Sequence, residues 1–237
     1  MSKILDSFKT YYKFHKVNEE NPIIFIHGIG LNHEIFNEQI SYFKKYNTIV
    51  YDLIGHGKTP LNNKQISMKN FTKQLLSLID NLNITKFHLV GFSLGSLIAR
   101  DFASLHDNRL SSLTIFGTIF KRTEDEKRQI VNRYETMKKN KDVTKKRALA
   151  RWFTEEFIKK NPNIYKKIYS MLEKNNHDTW LKVYKLFVFY KDEDMKLKQI
   201  NTKSLIITGE NDVGSKPRMS ENLSKLITGS EFKIIKK

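Results

Sequence analysis

Apolar positions in this chain recur with two different periods. Short runs rich in β-branched residues predict strands at Ile23 to Ile26, Thr48 to Tyr51, Phe87 to Val90, Leu113 to Phe116, Leu205 to Thr208 and Glu231 to Ile235. Helical spacing shows between them. From Asn70 to Leu82 the apolar residues fall at Phe71, Leu75, Leu78, Ile79 and Leu82, and Leu97 to Leu105 reads as a second helix. Strands alternating with helices predict an α/β fold whose mostly parallel sheet has helices on both faces.

The rhythm breaks between Ile119 and Gln199, a charged, aromatic-rich and helical stretch. Ile130, Tyr134 and Met137 share one face there, as do Trp152, Phe153 and Phe157. Asn161-Pro162 and Asn175-Asn176 mark helix boundaries, and Trp180 to Tyr190 is a further apolar helix. The expected organisation is a core of residues 1–118 and 200–237, interrupted by a helical cap at 119–199 that covers the carboxyl edge of the sheet. The alternative is a group of helices beside the sheet, out of contact with any substrate. No internal repeat or low-complexity linker is present.

Composition changes this picture little. The 237 residues suffice for one α/β domain with an insertion. No apolar run reaches the ~18–20 residues that span a bilayer. Met1 to Lys16 is polar and Lys-rich, without the apolar segment of a signal peptide, which points to the cytoplasm. Cysteine is absent, so disulfides and thiolate metal sites are excluded. The net charge of +17 admits nucleic acid or anionic lipid as a partner. The basic residues are spread along the chain, however, and Lys, Asn, Ile, Phe and Tyr are all plentiful. We read the charge as compositional, with no nucleic-acid or membrane partner expected. Lys138 to Arg151, the densest basic stretch, reads as a solvated helix face, and a positive field can still draw in anionic substrates.

Candidate chemistry concentrates in four loops. Gly91-Phe92-Ser93-Leu94-Gly95 fits G-x-S-x-G between a strand and a helix beginning near Ser96. The strand must turn sharply into the helix while lifting the Ser93 hydroxyl above the sheet. Gly91 and Gly95 lack a Cβ, so chain and helix can approach closely. The helix N-terminus behind Ser93 favours developing negative charge. The alternative is a glycine-flanked turn with an ordinary capping serine. The strand Ile23 to Ile26 runs into His27-Gly28-Ile29-Gly30, whose glycines let the loop present the Ile29 amide. The Ile29 and Leu94 N–H groups are the candidate pair for an acyl-transfer oxyanion, where one lost donor costs roughly 3 kcal/mol of barrier. His27 reads as structural, its ring bonded to loop backbone, with catalytic base as the alternative. In Asp52-Leu53-Ile54-Gly55-His56-Gly57-Lys58-Thr59, Asp52 is expected to bond local amides and shape the site floor, with His56 exposed or structural.

The order His-Gly-x-Gly, D-x-x-G-x-G, G-x-S-x-G and a late acid resembles the α/β-hydrolase superfamily over nearly the whole chain. Ile26-His27-Gly28-Ile29-Gly30-Leu31-Asn32 is similar to the loop of the pimeloyl-carrier-protein methyl ester carboxylesterases. Gly91-Phe92-Ser93-Leu94-Gly95 also resembles 3-oxoadipate enol-lactonases. The resemblance implies that Ser93 is the nucleophile of a serine hydrolase acting on a small ester, thioester or lactone, with no metal or organic cofactor. Gly209-Glu210-Asn211-Asp212, followed by Pro217, matches the segment that carries the acid of the triad, making Asp212 the candidate and Glu210 the alternative.

The resemblance also implies a histidine after the acid, at the end of one further strand. The last histidine is His177, before Asp212, and Glu231 to Ile235 reads as that further strand. The expectation is a sequence that stops just short of its base and is nearly inactive as it stands. By position, His88, His106 and His177 are the candidates to stand in for it. The competing reading is a binding protein of the same fold that never had the histidine.

Overall fold

The computed structural model describes residues 2–4, 6–61, 66–140 and 143–236. Its strands are β1 (Ser2–Ile4), β2 (Tyr11–His15), β3 (Ile23–Ile26), β4 (Thr48–Tyr51), β5 (Phe87–Phe92), β6 (Leu110–Phe116), β7 (Ser204–Gly209) and β8 (Glu231–Ile235). They form a sheet in the order β1-β2-β4-β3-β5-β6-β7-β8. β2 pairs antiparallel with β1 and β4, and β4 through β8 are parallel. The two N-terminal strands lie in the stretch read above only as a polar terminus. Only Tyr12 of β2 is fully buried, so too few apolar residues mark it as a strand. β2 holds its place through its ladder to β4, with Tyr12 opposite Tyr51 and Phe14 opposite Ile49.

The helices of the core are α1 (Asn37–Tyr42), α2 (Met68–Asn81) and α3 (Leu94–His106), and a later helix, α10, is Pro217–Ser224. β5 and β7 bury every second residue completely. That face, with Leu89 and Ile206, packs on Phe71 and Leu75 of α2, Leu97 and Phe102 of α3, and Met219 and Leu223 of α10. The opposite face is covered at Phe25 and Val50, where Phe36, Ile40 and Phe43 pack around α1. Helices therefore lie on both faces, as the alternating pattern predicts. α2 begins two residues earlier than its apolar spacing shows, because the Asn70 side chain accepts from both the amide and the hydroxyl of Ser67.

Between β6 and β7 come α4 (Glu124–Lys139), α5 (Val143–Trp152), α6 (Glu155–Lys160), α7 (Pro162–Glu173), α8 (His177–Val188) and α9 (Asp194–Leu197). Their boundaries follow local chemistry. Thr123 and Glu126 form a reciprocal box at the start of α4, and Thr154 and Asn176 cap α6 and α8. Asn161-Pro162 separates α6 from α7. Ile130, Tyr134 and Met137 are buried together along α4, as expected. Trp152, Phe153 and Phe157 do not share one helix face: α5 ends at Trp152, and Thr154 starts a new helix. Phe153 stacks on Phe157 at 5.1 Å, while Trp152 is exposed.

A buried guanidinium fastens this insert to the core. Arg100 of α3 has no solvent exposure and bonds both connections. On the outgoing one it donates to Thr118 Oγ1 at 3.1 Å and to the Ile119 carbonyl at 2.7 Å. On the returning one it pairs with Asp192 at 2.7 Å, and Asp192 also accepts from the Lys121 amide. Tyr190 donates to Asp101, the next residue of α3. Desolvation opposes the charge of Arg100, but Tyr190, Asp192 and Asp101 outweigh it and raise its pKa. Among the described residues no helix is long and apolar enough to cross a membrane.

Removing one partner of a buried pair leaves the other charge uncompensated, which costs about 3–5 kcal/mol. Arg100→Ala should therefore lower the unfolding free energy by that order in urea denaturation. Lys121→Ala, which breaks the exposed pair with Asp194, should cost under about 1 kcal/mol. Equal effects would show that Arg100 does not fasten the insert.

Candidate active site

Three parallel strands deliver the three candidate segments: β3 and β5 are neighbours, and β7 lies one strand beyond β5, across β6. β5 runs into Ser93, which has φ 55° and ψ −114°, a left-handed conformation rarely held by a side-chain-bearing residue. Its amide donates to the Phe116 carbonyl at the end of β6 at 2.9 Å, and α3 begins at Leu94, earlier than the apolar spacing alone indicates. Two glycines make the turn possible. A Cβ on Gly91 would lie 2.3 Å from the Gly95 carbonyl oxygen, and one on Gly95 would lie 2.2 Å from the Ile26 carbonyl oxygen. Both obstacles are backbone, so neither position admits a larger residue.

The same packing brings the loop after β3 against the Ser93 turn. A Cβ on Gly28 would come within 3.1 Å of the Ser93 Cβ. Ile29 and Ser93 line one cavity. Among the described residues, neither the Ile29 nor the Leu94 amide donates in a loop, turn or cap backbone bond. Gly30 has φ +74° and faces the insert, where a Cβ would meet Leu172 at 2.8 Å. Asn175, between α7 and α8, donates to the Gly30 carbonyl at 2.7 Å.

Asp212 follows β7. One of its oxygens accepts from the Gly214 and Ser215 amides, each at 2.8 Å. Ser215 donates its hydroxyl to the Gly117 carbonyl, one residue beyond the Phe116 that holds Ser93. The second oxygen, Oδ2, would lie 3.8 Å from a Cβ on Gly117. Ser93 and Asp212 thus flank the same strand end. Glu210, the alternative acid, is exposed, its amide bonded to the Ile235 carbonyl.

The loop with Asp52 forms a buried polar floor that is less local than expected. One Asp52 oxygen accepts from the Lys58 amide, but the other accepts from both the amide and the ring of His33, each at 2.8 Å. His33 escaped the sequence reading because no spacing rule links it to Asp52. Gln74 of α2, also missed, donates to the Asp52 carbonyl and accepts from the Ile54 amide. His27 bonds loop backbone as expected: Nε2 accepts from the Leu53 amide, so Nδ1 donates to the Gly28 carbonyl. His56 is buried, and the exposed option for it is excluded.

Of the stand-in histidines, His88 bonds the Ser112 hydroxyl on the sheet and His106 packs on Phe102. His177 lines the cavity with Ser93, and its buried Nε2 has no partner among the described residues. The cavity has a volume of about 340 Å³, near the lower limit of small-molecule sites. Trp152, Trp180 and Phe187 of the insert line it, while Phe153 packs in a separate cluster. The basic stretch Lys138 to Arg151 is not wholly a solvated face, since Lys145 and Arg151 also line the cavity. Among the described residues no cluster of three or more His, Asp or Glu side chains is arranged to hold a metal ion.

The chain belongs to the alpha/beta hydrolase fold family, whose model matches residues 21–237. It is 27% identical to the (E)-2-((N-methylformamido)methylene)succinate hydrolase of Acinetobacter baylyi, covering 91% of this chain and 81% of that protein. It is also 27% identical to 3-oxoadipate enol-lactonase 1 of the same organism, covering 90% of this chain and 79% of the relative. Among solved structures, the enol-lactonase of Burkholderia xenovorans LB400 superposes with a TM-score of 0.90 at 18% identity, over 99% of this chain and 91% of that one. The chain is a hydrolase of this family, with lactonase- and esterase-like relatives.

Burial sets the charge state of the floor. It lowers the pKa of His27, and it lowers that of His56 to about 3. For Asp52, burial opposes ionisation, but the His33 hydrogen bond, the nearby His27 and the Lys58 and His33 amides outweigh it and lower the pKa. A histidine whose pKa is lower folded than unfolded takes up its proton more readily in the unfolded chain. Its stabilising contribution is complete above the unfolded value of about 6.5 and is lost as the pH falls toward the folded value. Unfolding free energy measured in urea should therefore drop between about pH 6.5 and 5, by up to about 1.4 kcal/mol per pH unit per histidine. His56→Gln should reduce that slope. A flat profile would mean these rings are solvated.

Proposed function

We propose that the chain is a serine hydrolase that cleaves a small carboxylic ester, thioester or lactone through an acyl-enzyme on Ser93. The observation that carries this reading is the Ser93 backbone, held at φ 55° between β5 and α3 with Gly28 against its Cβ. Strain of this kind persists only where the surroundings over-determine it. Here they hold Ser93 on the lining of a cavity, beside the start of a helix whose dipole favours negative charge.

In this mechanism Ser93 Oγ forms a bond to the substrate carbonyl carbon, and the carbonyl oxygen becomes an oxyanion received by the Ile29 and Leu94 amides. The bond to the leaving alcohol or thiol then breaks, and the serine proton departs with that group. A lactone keeps its alcohol attached to the acyl chain. Water attacks the acyl-enzyme, releases the acid and returns the proton to Ser93. A base must carry the proton between these steps, and Asp212 would orient its imidazole through Oδ2, since Oδ1 is occupied by two amides. Residues 213–237 contain no histidine. The core of 1–118 and 200–237 supplies the reacting groups, and the insert at 119–199 acts as a cap that shapes the pocket.

A fluorophosphonate probe should label the protein and spare Ser93→Ala. Added imidazole should speed the labelling of the 237-residue chain by supplying the base, and Asp212→Asn should reduce that gain. Equal labelling of wild type and Ser93→Ala ends this reading. Absence of labelling with and without imidazole favours a binding protein of the same fold.

A further inference from the structure

The cations around the Ser93 cavity are treated differently from those on the surface. On the outer side of α4, Lys127, Arg128 and Lys138 are each paired with an acid one turn away, Glu124, Asp125 and Glu135. Arg133 of the same helix instead lines the cavity, and so do Lys145 and Arg151 of α5. All three are half-buried. None forms an ion pair among the described residues; Arg151 donates to the Arg147 carbonyl. No Asp or Glu is among the described residues that line the cavity.

Like charges gathered around one cavity repel each other, and an anion between them would offset that repulsion. Burial lowers the Arg151 pKa, and the charge of Arg133 lowers it further, so the two guanidinium groups sense each other. Arg122 adds to the same field from behind Phe187, with one buried nitrogen unpartnered. Ile130, Met137, Leu172 and Phe187 give the cavity an apolar wall as well, with Asn175 and His177 among its polar members. An apolar wall beside two like-charged forks suits a short hydrocarbon chain ending in an anion, because guanidinium binds carboxylate in a bidentate manner.

Accepting Ser93 as the nucleophile, on which this rests, we infer that the cavity takes an ester or lactone whose acyl chain carries a carboxylate, held by Arg133 and Arg151 while Ser93 meets the carbonyl. Lys145 strengthens the field. The charged end fixes which carbonyl reaches Ser93, so the pair determines specificity through position.

The test is protection of Ser93 from a neutral fluorophosphonate, with imidazole present, by monomethyl glutarate or by its neutral counterpart dimethyl glutarate. The charged monoester should protect at a concentration at least about tenfold lower, and high salt should narrow the gap. Arg133→Met with Arg151→Met should bring the two esters to near parity. Arg133→Lys should keep part of the preference, and Arg128→Met, on the outer side, should keep all of it. If the double variant does not fold by its thermal melt, Arg133→Met alone should show a smaller drop. Equal protection by both esters with Ser93 still labelled overturns the inference and leaves the nucleophile in place. Loss of Ser93 labelling under every condition overturns the nucleophile, and the inference with it.

Discussion

The site depends on one close approach, that of Gly95 to the carbonyl of Ile26. With no Cβ in the way, the first turn of α3 settles directly on the end of β3. That contact lets β5 break into a helix within one residue, and Ser93 absorbs the cost in its backbone. The same contact sets the height of the loop that leaves β3, so Gly28 rests against Ser93. The Ser93 turn and the loop after β3 are therefore not two devices brought together by folding. They are two sides of a single packing event, and a side chain at residue 95 would separate both.

Beneath them lies a layer of polar groups with no access to water. His27, His33, Asp52, His56 and Gln74 are all buried, and their bonds reach the loops after β3 and β4 and the helix α2. Buried polar networks specify geometry through the bonds they make, and here Nε2 of His33 and of His56 makes none among the described residues. Each bond here ends on backbone at a loop or on a side chain that holds such backbone. The network thus ties the two loops after β3 and β4 to each other and to α2.

The sequence is most readable where one residue type has one physical use. Strand positions from Ile23 to Ile235 emerge from β-branched runs, and β3, β4 and β8 carry the predicted limits unchanged. Gly91 and Gly95 could be read as points of close contact because only glycine fits such points. Legibility fails where partners are distant. The Asp52–His33 bond, the reach of Gln74 from α2 and the grip of Arg100 on residues beyond position 117 follow from tertiary approach, which no local spacing encodes. The basic stretch of α5 was legible as charge but not as direction, since a lysine-rich helix looks alike whether its cations meet solvent or a cavity.

Arg100 belongs to the helix that follows Ser93, and it holds both roots of the insert at once. Entrance and exit are thus clasped at one place, and Asn175 and Glu126 tie the intervening helices to the core again, through Gly30 and through Lys216 and Arg218. Changes confined to the cavity-facing residues between these anchors can alter the pocket wall while the sheet edge stays still. New substrate preferences are then open to a lineage without its having to rebuild the chemistry.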